Sequence, residues 1–389
     1  MTQQDRHNFM DQLRGQERAY KEYRVIGSPA AIGRQMAMYH RGEDGPGLAE
    51  LSPEQIDFAR ACGQEALRVH APLFEELASW AQACSLPLDQ ALFYFSVGMT
   101  WTSRRGRSRR PVGRAGESPR MDDAAANTRE GFACSTVGLM TSDGPVIGRN
   151  FDLYHGVNVR HFIKAEPCGL LQHAGMYDGL VAGRTDGMNS EGLFVSVHTV
   201  RARPPQRRKP GLFSAHLARI ILETCGTARQ AAAFLQAAPH IASFNYFLAD
   251  PHDMLVVECH PERIRVREAQ DGVLACTNHY ADTGMVDLLY AVPHNSAARL
   301  EFLSRFTRQL RDAVGCLASR CRQRSCGELC FELRSAVAFL LADHSVPVCG
   351  HTANMTTLWS VLAEPRRKTV AYCFGAPCEN EFTHTASWE

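Results

Sequence analysis

Apolar residues along the chain recur with two different periods, and the period changes near residue 134. Between residues 53 and 95 they recur at helical spacing, and Ser52-Pro53 supplies an N-cap followed by proline at the first helical position. Residues 23–37 predict a short strand, a Gly-Ser-Pro turn and a helix. Further helices are expected to begin near Pro53, Pro72 and Leu88. The first 101 residues are therefore predicted to be mainly helical.

From residue 134 to residue 280, alternating and β-branched-rich segments replace the helical pattern. The predicted strands and hairpins are 161–167, 180–200, 243–250, 254–261 and 272–279. Two predicted helices lie between them, at 214–224 and at 227–238, and Thr227 is a suitable N-cap for the second. The pattern after residue 295 predicts helices over 296–314 and 327–342, then strands over 357–362 and 369–374. This order predicts an α+β protein in which helices pack on sheets.

Composition changes again in residues 102–133, just before the strand-rich part. Residues 102–130 contain eight arginines, few apolar residues and several Gly, Ser and Pro. One interpretation is a basic arm for nucleic acid or an acidic membrane. We favour a solvated linker, because aromatic residues are not interleaved and acidic residues follow directly. The predicted organisation is a helical region over 1–101, a flexible basic linker over 102–133 and a second domain over 134–389.

The whole-chain composition excludes several classes of protein. The 389 residues allow a sizeable core, and their net charge of +1 gives no global basic field for nucleic acid. No secretory h-region is visible, and the longest apolar runs, such as Ala336 to Ala342, are too short to cross a bilayer. Fourteen cysteines without export features indicate reduced thiols. We therefore expect a cytoplasmic protein without nucleic-acid or membrane partners.

Cys134 is the candidate nucleophile. It precedes a β-branched run and the turn Ser142-Asp143-Gly144, and the following apolar run ends in Arg149 and Asp152. An antiparallel hairpin would bring this arginine and this carboxylate beside the sulfur. A nearby cation favours a thiolate, so the pattern predicts a cysteine of low pKa. The alternative is a buried structural cysteine, as most cysteines are.

Other cysteines and histidines give weaker patterns. The set Cys316, Cys321, Cys326 and Cys330 has helix-like spacing without the close pairs of structural zinc sites, which favours a partly buried helix face. His279 and His344 are each a candidate base for Cys134 or a structural histidine. No HExxH, Walker loop or dinucleotide fingerprint is present, so neither a metal nor a cofactor is expected.

Taken in order, these segments resemble the acyl-coenzyme A:6-aminopenicillanate acyltransferase-like (peptidase C45) branch of the choloylglycine hydrolase superfamily, a group of N-terminal-nucleophile (Ntn) hydrolases. The resemblance runs from about residue 22 to the C-terminus, apart from the basic linker. The matching pieces are Cys134, the hairpin ending at Asp152, Asp186-Gly187-Met188-Asn189, Thr277-Asn278-His279, Asn295 to Leu300, Asp343-His344, Val348-Cys349-Gly350-His351 and Gly375-Ala376-Pro377-Cys378. The resemblance implies an αββα sandwich preceded by a mainly helical pro-region.

The resemblance also implies a precursor that cuts its own chain between Ala133 and Cys134. The freed α-amine would serve as the base for its own thiol, and the sulfur would attack a linear amide or an acyl thioester. Arg149 and Asp152 would orient the amine and hold the thiolate. Asn278 would donate to the oxyanion, and Arg299 would support the site electrostatically.

The chain departs from the family pattern at Ala133, at Thr199 and at Gly350, which stands where penicillin-forming relatives often have arginine. Ala133 stands where relatives usually have glycine before the nucleophile. Thr199, beside His198, stands where bile-salt hydrolases place an oxyanion asparagine. Thr199, His198 and the motif residue Asn189 are therefore further substrate-binding or oxyanion candidates, and Asn189 is also a turn former.

Three functional hypotheses follow. The first is an autoprocessing Ntn cysteine amidohydrolase or acyltransferase that acts on small-molecule amides or acyl thioesters. The second is a catalytically inactive family member that serves as a binding scaffold. The third, ranked last, is a nucleic-acid binder that uses its basic arm.

Overall fold

The computed structural model describes residues 20–39, 51–97, 133–154, 161–177, 181–293, 295–320, 326–351 and 355–389. The basic segment over 102–132 lies outside the described residues, as does Cys321. The backbone at Cys316, Cys326 and Cys330 is helical. The side chains of these cysteines lie outside the part of the chain that the structure describes.

Two helices begin at the capping residues that the sequence predicts. Ser52 and Gln55 form a capping box at one helix start, and Thr227 and Gln230 form another. The helices are α1 (Pro29–Tyr39), α2 (Pro53–Val69), α3 (Ala71–Ala83), α4 (Leu88–Leu92), α5 (Ser214–Thr224), α6 (Ala228–Ala237), α7 (Ser296–Arg320) and α8 (Cys326–Leu341). A π-helical turn, Phe93–Val97, continues α4.

Fourteen strands form two sheets within the described residues. The strands are β1 (Lys21–Gly27), β2 (Ser135–Thr141), β3 (Gly144–Tyr154), β4 (His161–Pro167), β5 (His173–Tyr177), β6 (Asp186–Asn189), β7 (Phe194–Thr199), β8 (Phe244–Ala249), β9 (Met254–His260), β10 (Arg263–Glu268), β11 (Val273–Cys276), β12 (Met355–Glu364), β13 (Thr369–Phe374) and β14 (Phe382–Ser387). One sheet has eight strands in the order β1-β4-β5-β6-β7-β8-β9-β10, and the other has six in the order β11-β2-β3-β12-β13-β14.

The two sheets face each other across a shared apolar core, which includes Phe151, Phe162, Phe247 and Trp359. Helices α5 and α6 pack on the outer face of the eight-stranded sheet, and α7 and α8 pack on the outer face of the other. The chain therefore has the expected αββα layers of an α+β sandwich. Strands β5, β8 and β9 are buried along their whole length, because they are covered on both faces.

The N-terminal region is built into this sandwich. Strand β1 pairs in parallel with β4, with Lys21 opposite His161 and Gly27 opposite Pro167. Helices α1 to α4 share one apolar core with α5 and α6. Residues before the linker are thus joined to those after it by backbone hydrogen bonds and by side-chain packing. None of the helices in the described ranges combines the length and the apolar character needed to span a bilayer.

Candidate active site

The predicted hairpin is present and brings Cys134 and Asp152 together. Strands β2 and β3 pair with Ser135 opposite Asn150 and Thr136 opposite Arg149. Cys134 immediately precedes β2 with its side chain buried, and the backbone N–H of Asp152 lies beside its sulfur. The turn between the strands is short, so this close approach follows from local sequence.

Arg299 binds the backbone of Cys134 and the side chain of Ser135. From the first turn of α7, its Nη1 donates to the carbonyl oxygen of Cys134 at 2.7 Å and to Ser135 Oγ at 2.6 Å. Its Nη2 donates to Asn278 Oδ1 at 3.1 Å. The guanidinium is fully buried, and the same side chain thus positions both Cys134 and Asn278.

Arg149 lies between the two sheets. Its Nη1 donates to the carbonyl of Thr185 at 3.0 Å and its Nη2 to that of Val197 at 3.1 Å. Its Nε lies 3.2 Å from Asp186 Oδ2 as an ion pair that lacks hydrogen-bond alignment. The arginine is therefore anchored to the eight-stranded sheet, and it acts on Cys134 through its charge.

Asp186 is the counter-charge that the sequence reasoning did not identify. The indole N–H of Trp359 donates to its Oδ2 at 2.8 Å, and the hydroxyl of Tyr372 donates to its Oδ1 at 3.0 Å. Both aromatic residues come from the six-stranded sheet, whereas Asp186 belongs to the eight-stranded one. The motif Asp186-Gly187-Met188-Asn189 was the available signal for this residue. The side chains that bind its aspartate, however, lie far away in the sequence.

Asp152 is buried and only partly satisfied. Its Oδ1 accepts a hydrogen bond from Thr357 Oγ1 at 2.7 Å, while its Oδ2 has no hydrogen-bond partner among the described residues. Burial raises the pKa of this carboxyl to about 7, although the Thr357 hydrogen bond and the charges of Arg299 and Arg149 oppose the shift. Near neutral pH the group therefore changes its charge easily.

The prediction of a low pKa for Cys134 is wrong for the continuous chain of this structure. Burial raises the pKa of the Cys134 thiol, and this effect outweighs the opposing charges of Arg149 and Arg299. The negative charge of Asp152 raises that pKa further. The hairpin supplies the expected neighbours, but the depth of the site favours a neutral thiol.

Asn278 and Thr199 are directly linked. The side-chain amide of Asn278 donates to the backbone carbonyl of Thr199 at 3.1 Å, and its backbone N–H donates to Ser296 Oγ at 2.9 Å. An amide nitrogen carries two hydrogens, so one remains for a substrate oxygen. Thr199 contributes its carbonyl to this contact, which orients the amide of Asn278.

His198 lies beside Cys134 as a neutral ring. Its Nε2 is 2.9 Å from Thr136 Oγ1 and 3.3 Å from Ser196 Oγ, and its ring contacts the backbone of Cys134. Burial lowers its pKa well below the usual value, and the charges of Arg149 and Arg299 lower it further. The ring can donate or accept a hydrogen bond but does not carry charge at neutral pH.

The remaining histidine and asparagine candidates have other contacts. Asn189 donates to the carbonyls that end α5, those of Leu222 and Cys225, and accepts from two backbone N–H groups of the β6–β7 turn, so its side chain ties this turn to α5. His279 Nδ1 lies 2.8 Å from Ser296 Oγ, and burial lowers its pKa to about 4. His344 is exposed and packs edge-on against His351. The structure thus shows a role for each of these residues away from the Cys134 sulfur.

Comparison with known structures finds similar chains. The Caenorhabditis elegans N-acylethanolamine-hydrolyzing acid amidase (NAAA) ortholog is 14% identical, with a TM-score of 0.42, over 60% of this chain and 93% of that one. The R18L variant of the conjugated bile acid hydrolase from Clostridium perfringens is 15% identical, with a TM-score of 0.45, over 62% and 89%. Penicillin V acylase from Agrobacterium tumefaciens is 18% identical, with a TM-score of 0.40, over 62% and 82%.

Comparison of the sequence with curated proteins finds no match. Residues 139–379 match the family model described as Acyl-coenzyme A:6-aminopenicillanic acid acyl-transferase. The matched range begins inside β2, after Cys134, and includes Arg149, Asp152 and the strands from β3 to β13. Since this range is more than half of the chain, the protein belongs to the acyl-coenzyme A:6-aminopenicillanic acid acyl-transferase family.

Proposed function

We propose that this protein is an Ntn cysteine enzyme that cuts its own chain between Ala133 and Cys134 and then carries acyl groups on the Cys134 sulfur. The observation that carries the proposal is the half-satisfied side-chain carboxylate of Asp152, a residue whose backbone N–H lies beside that sulfur. A buried carboxylate oxygen without a hydrogen-bond donor is costly. An α-ammonium formed at Cys134 would supply such a donor, together with a further positive charge, beside Asp152.

The cleavage step follows from the position of the thiol next to its own peptide bond. The Cys134 sulfur adds to the Ala133 carbonyl carbon, the carbon–nitrogen bond breaks, and the thiol proton passes to the departing nitrogen. Water then hydrolyses the Ala133 thioester, which restores the thiol and leaves a carboxylate. Arg299 supports this step by fixing the Cys134 carbonyl, and the Asp152 N–H orients the sulfur.

Turnover of an external substrate uses the amine that cleavage releases. An α-amino group has a pKa of about 7.7–8.0, so near neutral pH it can take the thiol proton. Arg149 then favours the thiolate through its charge. The sulfur attacks the carbonyl of an amide or thioester, and the remaining N–H of Asn278 is the proposed oxyanion donor. Water or an amine finally accepts the acyl group.

The neutral His198 is proposed as a second polar group facing the substrate carbonyl, beside Thr199. Its ring lies against the backbone of Cys134, and its Nδ1 has no hydrogen-bond partner in the described part of the chain. A neutral imidazole can donate to an oxyanion without bringing another charge into a buried site. Asn189 is proposed to shape the site only by holding the β6–β7 turn.

Intact mass and N-terminal sequencing of the purified protein test the cleavage. The wild type should give two fragments, the second starting Cys-Ser-Thr-Val, and Cys134→Ala should give one uncut chain. Cys276→Ala is the matched control, because Cys276 is equally buried on β11, opposite Thr136, and should leave cleavage unchanged. A cleaved Cys134→Ala chain would contradict the assignment.

Acylation of the processed wild type with an activated ester tests the second half of the proposal. We expect one acyl group per chain, on the fragment that starts with Cys134. An uncut wild type that forms no such adduct would instead support the inactive binding scaffold.

A further inference from the structure

Four potential metal ligands converge beside the candidate active site. They are His344, Cys349, His351 and Cys378, and their ligand atoms all lie within 4.8 Å of one another. The first three come from the loop after α8, and Cys378 comes from the loop after β13. Cys349 is buried and the other three are exposed.

The spacing of these atoms matches a tetrahedral coordination shell. The two sulfur atoms are 3.7 Å apart, and His351 Nε2 lies 3.3 Å from Cys349 Sγ and 3.1 Å from Cys378 Sγ. A tetrahedral zinc ion with zinc–sulfur bonds of about 2.3 Å and zinc–nitrogen bonds of about 2.0–2.1 Å places two sulfurs about 3.8 Å apart and a sulfur and a nitrogen about 3.5 Å apart. The ligand atoms of Cys349, His351 and Cys378 therefore need an adjustment of a few tenths of an ångström, and His344, whose ligand atom lies within 4.8 Å of the others, completes the shell by moving closer.

A cluster held only by hydrogen bonds explains this arrangement less well. Both thiol sulfurs approach the same nitrogen, His351 Nε2, and one imidazole nitrogen serves a single hydrogen bond as donor or acceptor. Both cysteines are free thiols, so no disulfide accounts for the contact. His344 adds a second imidazole at a ring distance of 4.9 Å from His351.

We propose that His344, Cys349, His351 and Cys378 bind one zinc ion in a closed structural site. Thiolate and imidazole ligands in tetrahedral geometry select zinc among the common divalent ions, and four protein ligands leave no open position for catalysis. Two thiol protons leave when the ion binds, so the two thiolates balance its double positive charge.

The position of this cluster gives the ion a role at the active site. Cys349 is followed by Gly350, whose N–H donates to Thr357 Oγ1 at 2.8 Å, and Thr357 in turn donates to Asp152 at 2.7 Å. A Cβ atom at Gly350 would lie 3.3 Å from Asp152 Cγ. Zinc bound to Cys349 would therefore hold the loop that packs against the Asp152 carboxylate.

The sequence analysis expected no metal because it searched for close cysteine pairs. The ligands here are His344, then Cys349 and His351 with one residue between them, and finally Cys378, which lies 27 residues after His351. Strands β12 and β13 bring this last residue back to the others. The spacing is thus set by the sheet and differs from the compact zinc motifs.

Metal content and cobalt spectroscopy test the proposal without requiring catalysis. Protein purified under reducing conditions with zinc available should contain about one zinc ion per chain by elemental analysis. Cobalt added to the metal-free protein should give the visible bands of a tetrahedral site and a thiolate-to-cobalt charge-transfer band. Cys378→Ser should weaken zinc binding by more than the roughly 10–100-fold cost of losing an outer-shell partner.

Cys168→Ser is the matched control, because Cys168 is also an exposed free cysteine and should leave the zinc content unchanged. Wild type that binds neither ion, or that gives an octahedral cobalt spectrum, would overturn the proposal, as would full zinc content in folded Cys378→Ser and His351→Asn variants. The cobalt spectrum of the wild type decides the matter even where a variant does not fold. Either result is independent of whether the chain is cleaved before Cys134 and of whether the protein has enzymatic activity.

Discussion

Arg219 links the helical region before the proposed cleavage site to the sheets that follow it. From α5, its guanidinium donates to Glu223 at 2.9 and 2.7 Å and, across the helix interface, to Glu76 on α3 at 3.0 Å. The second oxygen of Glu223 lies 2.8 Å from His70 Nε2, at the start of α3. The side chains of Arg219, Glu76 and Glu223 are at most 4% exposed.

The substitution Arg219→Met tests this link, because it leaves two buried carboxylates without the guanidinium that donates to them. Removing one partner from a buried ion pair costs about 3–5 kcal/mol, because the remaining charge cannot be solvated. Since 1.4 kcal/mol is a tenfold change in an equilibrium constant, hydrogen exchange of the α3 amides should accelerate about 100- to 4,000-fold. Glu76 can relieve part of this cost by binding a proton, as burial already raises its pKa. The destabilisation should therefore be larger at pH 8 than at pH 5.

Exchange is measured by mass spectrometry on peptides from residues 71–83. Arg60→Met is the control, because Arg60 also makes a two-bond pair, with Asp89, but its side chain is 58% exposed. An exposed pair contributes about 0–1 kcal/mol, so the control should change exchange less than about sixfold. If Arg219→Met also stays within tenfold of the wild type, the reasoning about this buried network is refuted.

Two further predictions concern buried charge. Burial opposes ionisation of Glu223, yet Arg219 lowers the pKa of Glu223 from 4.5 to about 2. The stabilising effect of the ionised Glu223 is therefore complete above about pH 5 and is lost as the pH falls towards 2. Between pH 5 and pH 2, the free energy of unfolding measured in urea should fall by about 3 kcal/mol more for the wild type than for Glu223→Gln. An equal fall in both proteins would contradict this prediction. Trp359→Phe removes the indole donor to Asp186 and should cost about 1–3 kcal/mol in free energy of unfolding. The half-buried Trp388→Phe should cost less, and the reverse order would contradict the role given to Asp186.

The sequence predicted the hairpin of the site because hairpin formation is a local event. Apolar runs on either side of Asp143-Gly144 set the pairing of β2 and β3, and that pairing brings Asp152 to Cys134. The helix starts at Ser52 and Thr227 were predicted for the same reason, since a capping box involves only four consecutive residues. The short strand β5 and the C-terminal strand β14 were not predicted. Both depend on neighbouring strands for their pairing.

The amino-acid sequence by itself determined most of the helices and strands and their order, the hairpin that follows Cys134, and the family of the chain. These features depend on residues close together along the chain, where periodicity and turn chemistry act directly. Only the tertiary structure decided the protonation of the site, since the pKa of Cys134 and that of Asp152 depend on burial. It also decided the contact of Arg299 with Cys134, which lies 165 residues away, and the convergence of the proposed zinc ligands. Such contacts arise from sheet packing, which leaves no fixed spacing in the sequence.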